Sequence, residues 1–154
     1  MNDLNRVETV NEMELTFDAV SCNEGLARVA VCAFISCKNP TLEEMSDIKT
    51  AVSEAVTNSI IHGYEQTEGK VILRCRLREN TLIVEVEDKG VGIDNIDQAM
   101  EPLFTTKPDL ERSGMGFAFM EAFMDELEVI STPCEGTLIR MTKEIGSTPW
   151  FYEE

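Results

Sequence analysis

The chain has 154 residues, of which 43% are hydrophobic and 27% are charged, and its formal net charge is −16 at pH 7. This length is typical of one domain with a real core, and the acidic balance excludes a nucleic-acid surface, which requires a basic footprint. The charge suits a protein that meets a basic partner, although solubility alone would also explain it.

Neither a membrane span nor a secretory signal is visible in the sequence. No apolar run approaches the roughly 18 residues that a transmembrane helix requires, and the N-terminus is polar. The five cysteines show no CxxC spacing, and only one histidine, His62, could join a metal cluster. Such usage is typical of reduced and mostly buried thiols. We therefore expect a cytoplasmic protein without a membrane partner.

The first predicted elements are a strand and a helix. Residues 12–18 alternate between polar and apolar side chains, which predicts a strand with one inward face. Ser21 and Glu24 have the spacing of a capping box, which predicts the start of a helix. That helix should end before Pro40.

A second, longer helix and two strands follow. Thr41 and Glu44 repeat the capping-box spacing, and Gly63 is a plausible stop for the helix that they begin. Residues 71–78 and 81–87 are rich in valine, isoleucine and leucine, which predicts two strands joined by a tight turn.

The remaining predicted elements are a short helix near residues 95–100, an aperiodic lid-like segment over 101–116, a helix at 117–124, and a hairpin of strands at 127–131 and 137–143. Together the elements predict one α/β domain over residues 1–154. Its architecture should be a two-layer sandwich with helices on one face of a mixed or mostly antiparallel sheet.

Glu54 and Asn58 are the first candidate site residues. They are four residues apart on the second helix, so their side chains share one face of it. An asparagine oxygen suits Mg²⁺, and a carboxylate can take a proton from an attacking hydroxyl. A solvated glutamate and an asparagine bonded to the backbone would look the same in the sequence.

Asp88 follows a predicted strand and precedes Gly90 and Gly92. The glycines would allow a planar heterocycle to approach the backbone, and an ionised acid can accept a hydrogen bond from an exocyclic amine such as that of adenine. A simple turn with these residue types is the alternative.

Gly114 and Gly116 lie at the start of the helix predicted at 117–124. A glycine-rich loop that leads into a helix N-terminus is a natural phosphate cradle, although a flexible hinge would have the same composition. Lys107 and Arg112 in the lid-like segment could reach phosphates as that segment closes, or could remain solvated.

These four motifs follow one another along the chain: the Glu54–Asn58 pair, the Asp88 loop, the lid-like segment and the Gly114–Gly116 loop. Gly136 and Thr137 at the start of the last strand form a fifth motif. The order resembles that of the GHKL ATPase and kinase superfamily, which includes gyrase, the large heat-shock chaperone, histidine kinases and mismatch-repair MutL. Gyrase-type and chaperone-type members use long additional domains, for which these 154 residues leave no room. Histidine kinases need a phospho-accepting histidine, whereas His62 lies inside the nucleotide-domain helix and is expected to be structural.

The resemblance therefore favours the stand-alone branch, the serine kinases that also act as anti-sigma factors. Within it, the lid sequence "PLFTTKPDLERSGMGF" is most similar to the sporulation anti-sigma factors of the SpoIIAB family. That resemblance implies a homodimer that inhibits a sporulation sigma factor. It also implies transfer of phosphate from ATP, with Mg²⁺, to a serine of a SpoIIAA-like anti-anti-sigma factor. The general-stress RsbW-like kinases, a nucleotide-gated sigma-binding module without kinase activity and a simple ATPase are the alternatives.

The resemblance also implies roles for individual residues. Asn58 would be the Mg²⁺ ligand and Glu54 the base, while Asp88, assisted by Thr137, would hold the adenine amine above Gly90 and Gly92. Gly114, Met115 and Gly116 would present backbone donors to the phosphates, and the other nucleotide-binding residues would be Thr105, Thr106, Lys107, Arg112 and Ser113. Arg112 matches the lid arginine of the family, which serves either the phosphates or a partner. Arg28 on the first helix matches an arginine that the family uses for partner docking, although it could also be a solvated helix charge.

Overall fold

The computed structural model describes residues 10–64, 68–101 and 115–146. The strands span Val10–Asp18 (β1), Lys70–Arg78 (β2), Thr81–Asp88 (β3), Glu126–Thr132 (β4) and Gly136–Glu144 (β5). The helices span Asn23–Ile35 (α1), Leu42–Asn58 (α2), Ile96–Ala99 (α3) and Gly116–Phe123 (α4). A 3₁₀ turn at Ser36–Lys38 follows α1, and a turn of π-helix at Ser59–Gly63 follows α2.

The strands form one sheet in the order β1-β2-β3-β5-β4, and each neighbouring pair is antiparallel. Within the described strands the sheet is therefore antiparallel, which agrees with the mostly antiparallel alternative of the prediction and corrects the mixed one. The reason lies in the connection between β1 and β2. Two helices, rather than one, return the chain to the end where β1 finished, so that Asp18 pairs with Lys70.

The helices cover one face of the sheet, which confirms the predicted two-layer α/β architecture. Every second residue of β2 and β3 is buried on that face, for example Leu73 and Val84. The buried positions of α2 recur with helical period and pack above them: Ile48, Ala51, Val52, Ala55 and Val56 are all fully buried. Each aliphatic side chain buried in this way contributes about 1.5–3 kcal/mol.

The opposite face of the sheet is polar and carries a row of alternating charges. Glu14, Arg74, Glu85, Arg140 and Glu128 lie opposite one another across all five strands. Arg140 contacts the carboxylates of Glu85 at 2.9 Å and Glu128 at 2.7 Å. Cross-strand pairs of opposite charge favour this register, so this face is suited to water.

The capping box predicted at Ser21 is wrong, because the helix begins later. The N-cap of α1 is Cys22, whose side chain makes no capping bond, and the Glu24 N–H donates to the backbone oxygen of Ser21 at 3.2 Å. The Glu24 carboxylate contacts Arg28 and Thr57 instead. It is therefore turned away from the position that a capping box requires.

The second predicted capping box is confirmed at the start of α2. The Thr41 hydroxyl accepts the Glu44 N–H at 3.1 Å, and the Glu44 carboxylate accepts the Thr41 N–H at 2.9 Å. The other oxygen of Glu44 accepts the Gly146 N–H at 2.8 Å. Burial alone would raise the pKa of Glu44, but these hydrogen bonds outweigh it and lower that pKa.

All five cysteines are free, but the expectation that they are mostly buried is wrong: Cys22, Cys37 and Cys134 are exposed, Cys32 is half-buried, and only Cys75 is buried. Burial raises the pKa of Cys75, on the covered face of β2, to about 12. None of the helices in the described ranges has the length and hydropathy of a membrane-spanning segment.

Candidate nucleotide site

Asp88 is the last residue of β3 and lies opposite Thr137 of β5. It is only 2% exposed. Its Oδ1 atom accepts the Gly90 N–H at 3.0 Å, whereas its Oδ2 atom is buried and has no hydrogen-bond partner among the described residues. Buried polar atoms in proteins are nearly always satisfied. The arrangement therefore offers a buried acceptor to a donor on a ligand.

The electrostatics of Asp88 follow from this burial. Desolvation raises the pKa of the carboxyl group, and the Gly90 N–H, the Ser59 hydroxyl and the Thr137 N–H oppose that rise without cancelling it. The charged form thus lacks part of the hydrogen bonding that would stabilise it. A donor placed at Oδ2 would supply what is missing.

Glycines allow backbone segments to pack closely beside Asp88. A Cβ atom on Gly63 would lie 2.8 Å from the Asp88 carboxylate, and one on Gly90 would lie 1.9 Å from the Gly63 carbonyl oxygen. Gly92 has a φ of +75°, which side chains rarely adopt. The Val91 N–H donates to the Gly63 carbonyl at 2.8 Å and fixes the loop against the π turn. The glycines therefore allow the loop after β3 to pack directly against the π turn beside Asp88.

Two residues that support the site were not identified from the sequence. The Ser131 hydroxyl lies 2.8 Å from that of Thr137 and accepts the Ile93 N–H at 2.7 Å, so it joins β4, β5 and the loop. The Tyr64 hydroxyl accepts the Lys89 N–H at 2.7 Å and donates to the Lys70 carbonyl at 2.6 Å. Alternation in a strand does not distinguish such a serine, and Tyr64 carried no motif.

The π turn brings the end of α2 to Asp88. The α-helical part ends at Asn58, and the next residue, Ser59, is fully buried with its hydroxyl facing Asp88. Glu54 and Asn58 are half-buried on the last turn of α2. The structure thus brings the predicted base and metal ligand to the same end of the sheet as the predicted adenine residue. Wide turns of this type are frequent at functional sites.

The N-terminus of α4 completes the described part of the site. Gly116 is its first residue and is buried, and Met115 precedes it without a side-chain capping bond. The N–H groups and the dipole of a helix N-terminus favour an anion. The other residues predicted at the phosphates lie outside the described residues: Thr105, Thr106, Lys107, Arg112, Ser113 and Gly114.

Arg28 is exposed on α1 and is paired with Glu24 one turn earlier, with 3.3 Å between Nη1 and Oε1. The same Glu24 contacts Thr57, the residue before Asn58. Arg28 therefore lies on the surface beside the last turn of α2, and does not enter the pocket at Asp88.

The described residues contain no cluster of three or more histidine, cysteine, aspartate or glutamate side chains that could hold a metal ion. Mg²⁺ does not need such a cluster, because it commonly keeps several waters and takes one or two protein ligands together with substrate phosphates. The half-buried amide of Asn58 fits this coordination.

Residues 19–143 match the family described as the histidine kinase-like ATPase domain. The chain therefore belongs to this ATPase family.

More closely, it is similar to proteins named anti-sigma F factor. One from Thermoanaerobacter sp. (strain X514) is 56% identical over 141 residues, which cover 92% of this chain and 99% of the relative. Another, from Oceanobacillus iheyensis, is 53% identical over 143 residues, with 92% and 98% covered. One from Clostridium perfringens (strain 13 / Type A) is 57% identical over 138 residues, with 89% and 99% covered. These relatives confirm the resemblance to the SpoIIAB family that the motifs indicated.

The fold is shared with a solved structure as well. The crystal structure of the RsbU and RsbW domains of a Mycobacterium tuberculosis protein matches with a TM-score of 0.64 and 20% sequence identity, and the match covers 88% of this chain and 32% of that one. At this identity the likeness concerns the fold alone.

Proposed function

We propose that the chain is an anti-sigma factor that binds and inhibits a sporulation sigma factor. With ATP and Mg²⁺ it also phosphorylates a serine of a SpoIIAA-like anti-anti-sigma factor, and phosphorylation switches the chain between its two partners. Relatives named anti-sigma F factor, at 53% to 57% identity, support the first part. The observation that carries the nucleotide-dependent part is the buried, unpartnered Oδ2 atom of Asp88.

Adenine recognition rests on that atom. The exocyclic amine of adenine donates to Oδ2 of Asp88, and the ring lies beside the closely packed Gly63 and Gly90. Thr137 assists from the neighbouring strand. A guanine base presents a carbonyl oxygen at the corresponding position, and two acceptors would repel each other. The site therefore selects ATP over GTP.

Phosphoryl transfer then depends mainly on positioning and charge neutralisation. Glu54 accepts the proton of the attacking serine hydroxyl, which requires a carboxylate within hydrogen-bond reach of that hydroxyl. Asn58 holds Mg²⁺, which neutralises charge on the phosphates when it is bound. The backbone N–H groups at Met115 and Gly116 face the phosphates, as do the lid residues Thr105, Thr106, Lys107, Arg112, Ser113 and Gly114.

Partner docking uses Arg28 on α1. Its side chain is 45% exposed, and the exposed apolar residues Leu26 and Val29 lie on the same helix. An arginine among apolar side chains suits a partner that presents a carboxylate with apolar neighbours. We place this interaction in the cytoplasm and expect a homodimer to carry it out.

One experiment separates this proposal from its alternatives. The purified chain is incubated with radiolabelled ATP, Mg²⁺ and a SpoIIAA-like protein, and phosphoprotein and free phosphate are both measured. A phosphorylated substrate serine supports the kinase. Phosphate release without phosphoprotein would indicate a simple ATPase, and ATP binding with neither product would indicate a nucleotide-gated sigma-binding module. Pull-down of sporulation and general-stress sigma factors then distinguishes the SpoIIAB-like role from the RsbW-like one.

A further inference from the structure

The Glu24 carboxylate bridges two helices. Its Oε1 atom lies 3.3 Å from Nη1 of Arg28 on α1, and its Oε2 atom accepts the hydroxyl of Thr57 on α2, also at 3.3 Å. The Glu24 side chain is 21% exposed, against 45% for Arg28. One carboxylate therefore connects the exposed arginine to a half-buried position on the neighbouring helix.

Thr57 occupies a sensitive position on α2. It immediately precedes Asn58 and follows Glu54 by three residues, so it neighbours both candidate site residues on the last helical turn. The orientation of this turn decides where the base and the amide point. A contact that restrains Thr57 therefore also restrains the orientation of the last turn of α2.

Helix capping does not explain the position of Glu24. Its own N–H donates to Ser21, but its carboxylate does not return to the start of α1 as it would in a capping box. The carboxylate instead spans the gap to α2, although Arg28 and Thr57 are separated by 29 positions in the sequence.

We propose that Glu24 is a positioning residue that couples docking of the protein substrate at Arg28 to the orientation of the last turn of α2. This inference rests on the proposed kinase function. An exposed pair of charges four residues apart on a helix is weak, so a carboxylate on the substrate can take Arg28 from Glu24. Glu24 is then left with Thr57 as its partner, and the turn that carries Glu54 and Asn58 is held more firmly once substrate has docked.

Replacing Glu24 by glutamine should split the kinetic constants. The substitution removes the internal competitor for Arg28, so the KM for the anti-anti-sigma substrate should fall about threefold, within the range of helix ion pairs. It also weakens the hold on Thr57, so kcat should fall about tenfold, because small errors in positioning are costly in rate. A merely structural role would not lower KM.

Replacing Thr57 by valine tests the other end of the contact. The side chain keeps its shape but loses the hydroxyl, so kcat should fall about as far as in Glu24→Gln while KM stays unchanged. The double variant should lose no more kcat than either single variant, because both substitutions break the same contact.

Two matched controls account for nonspecific effects. Glu43→Gln removes an exposed carboxylate from the first turn of α2, and Thr50→Val removes a hydroxyl that bonds only locally, to the Ser46 carbonyl of the same helix at 3.0 Å. Neither should change kcat or KM. Thermal unfolding of every variant shows whether the fold is intact.

The outcomes separate this inference from the proposed function. If the wild type phosphorylates its substrate and Glu24→Gln behaves as Glu43→Gln does, or raises KM while lowering kcat, the coupling is refuted. If the wild type transfers no phosphate, the kinase proposal fails. Substrate affinity with a non-hydrolysable ATP analogue then decides the docking step: Glu24→Gln should bind about threefold more tightly, and equal affinity overturns the coupling.

Discussion

Two buried carboxylates lie near opposite ends of α2, and they differ in how far they are satisfied. Glu44, at the start of the helix, is 7% exposed and uses both oxygens, accepting the N–H groups of Thr41 and Gly146. Asp88, beside the π turn that follows the helix, is 2% exposed and leaves Oδ2 without a partner. Hydrogen bonds lower the pKa of Glu44, whereas burial raises that of Asp88.

The difference separates a structural charge from one that is ready for a ligand. A buried acceptor without a partner costs about 1–3 kcal/mol, and more when it is charged. Glu44 avoids this cost and joins the end of β5 to α2. Asp88 bears this free-energy cost in the nucleotide-free protein, and a ligand that donates a hydrogen bond to Oδ2 would remove the cost. A buried carboxylate that is left unsatisfied therefore points to binding, because folding alone would favour its replacement.

The largest expected effect is on chemistry at the last turn of α2. Glu54→Gln should lower phosphorylation of the anti-anti-sigma substrate by about 10²–10⁴-fold, because the amide cannot accept the serine proton. ATP affinity should be largely unchanged. Single-turnover phosphorylation and a separate nucleotide-binding titration measure the two properties. Glu121→Gln, at an exposed position of α4, is the control, and normal transfer by Glu54→Gln would remove this residue from the mechanism.

The next largest effect concerns Asp88. Asp88→Asn should weaken ATP binding by about 10²-fold, because the neutral amide is a poorer acceptor and can turn a donor towards the adenine amine. The nucleotide-free variant should unfold at a higher temperature than the wild type. Titration calorimetry and thermal unfolding measure these effects, with exposed Asp94→Asn as the control.

The pH dependence of this variant follows from the raised pKa of Asp88. Because the folded state holds the proton more tightly, the wild type should gain stability relative to Asp88→Asn as the pH falls from neutral through the raised pKa. Unchanged ATP affinity in Asp88→Asn would contradict the adenine-binding role.

Glu44→Gln should show the opposite behaviour. It should lower the free energy of unfolding by about 1–3 kcal/mol, because it weakens two charge-assisted hydrogen bonds, and leave ATP affinity unchanged. The folded-state pKa of Glu44 is lowered, so the loss should be complete at neutral pH and should shrink as the pH falls below about 4.3. Urea unfolding at several pH values measures it against Glu43→Gln. A loss of ATP affinity in Glu44→Gln would contradict the purely structural role of this carboxylate.

The smallest effect is expected at Tyr64. Tyr64→Phe removes a hydroxyl that joins Lys89 and Lys70, which should cost about 1 kcal/mol of stability. ATP affinity should fall only a few-fold, because the glycine loop is held by the Val91–Gly63 hydrogen bond as well. Calorimetric binding and unfolding, with Thr50→Val as the control, test this. A loss as large as that of Asp88→Asn would mean that Tyr64 belongs to the binding surface itself.

Local patterns predicted most of the elements, and the exceptions have non-local causes. The two capping-box sequences look alike, but Thr41 forms the box and Ser21 does not. The difference comes from Thr57 and Arg28, which engage the Glu24 carboxylate. Alternation and turn residues likewise predicted the strands, but not that the sheet is antiparallel, because strand direction depends on how the helices return the chain.

The candidate site was predicted where side-chain chemistry is distinctive and missed where geometry supplies it. Asp88 and its glycines were identified, and the structure places them together. Ser131 and Tyr64 were missed because hydroxyl groups are common and their partners are backbone atoms distant in the sequence. The π turn was also missed, since the apolar spacing from Ser59 to Gly63 differs from that of an α-helix by only one residue.

The extra residue in the π turn sets the directions in which Gly63 and Tyr64 face the rest of the site. Each residue of an α-helix advances the chain by about 100°, so deleting any one residue between Ser59 and Gly63 would rotate Gly63 away from the Asp88 carboxylate and Tyr64 away from Lys89. Except at Gly63, where a Cβ atom would meet the Asp88 carboxylate, the segment should accept substitutions that preserve its burial, yet reject a change in its length. The geometry of the site therefore depends on the number of residues in this segment as well as on their identity.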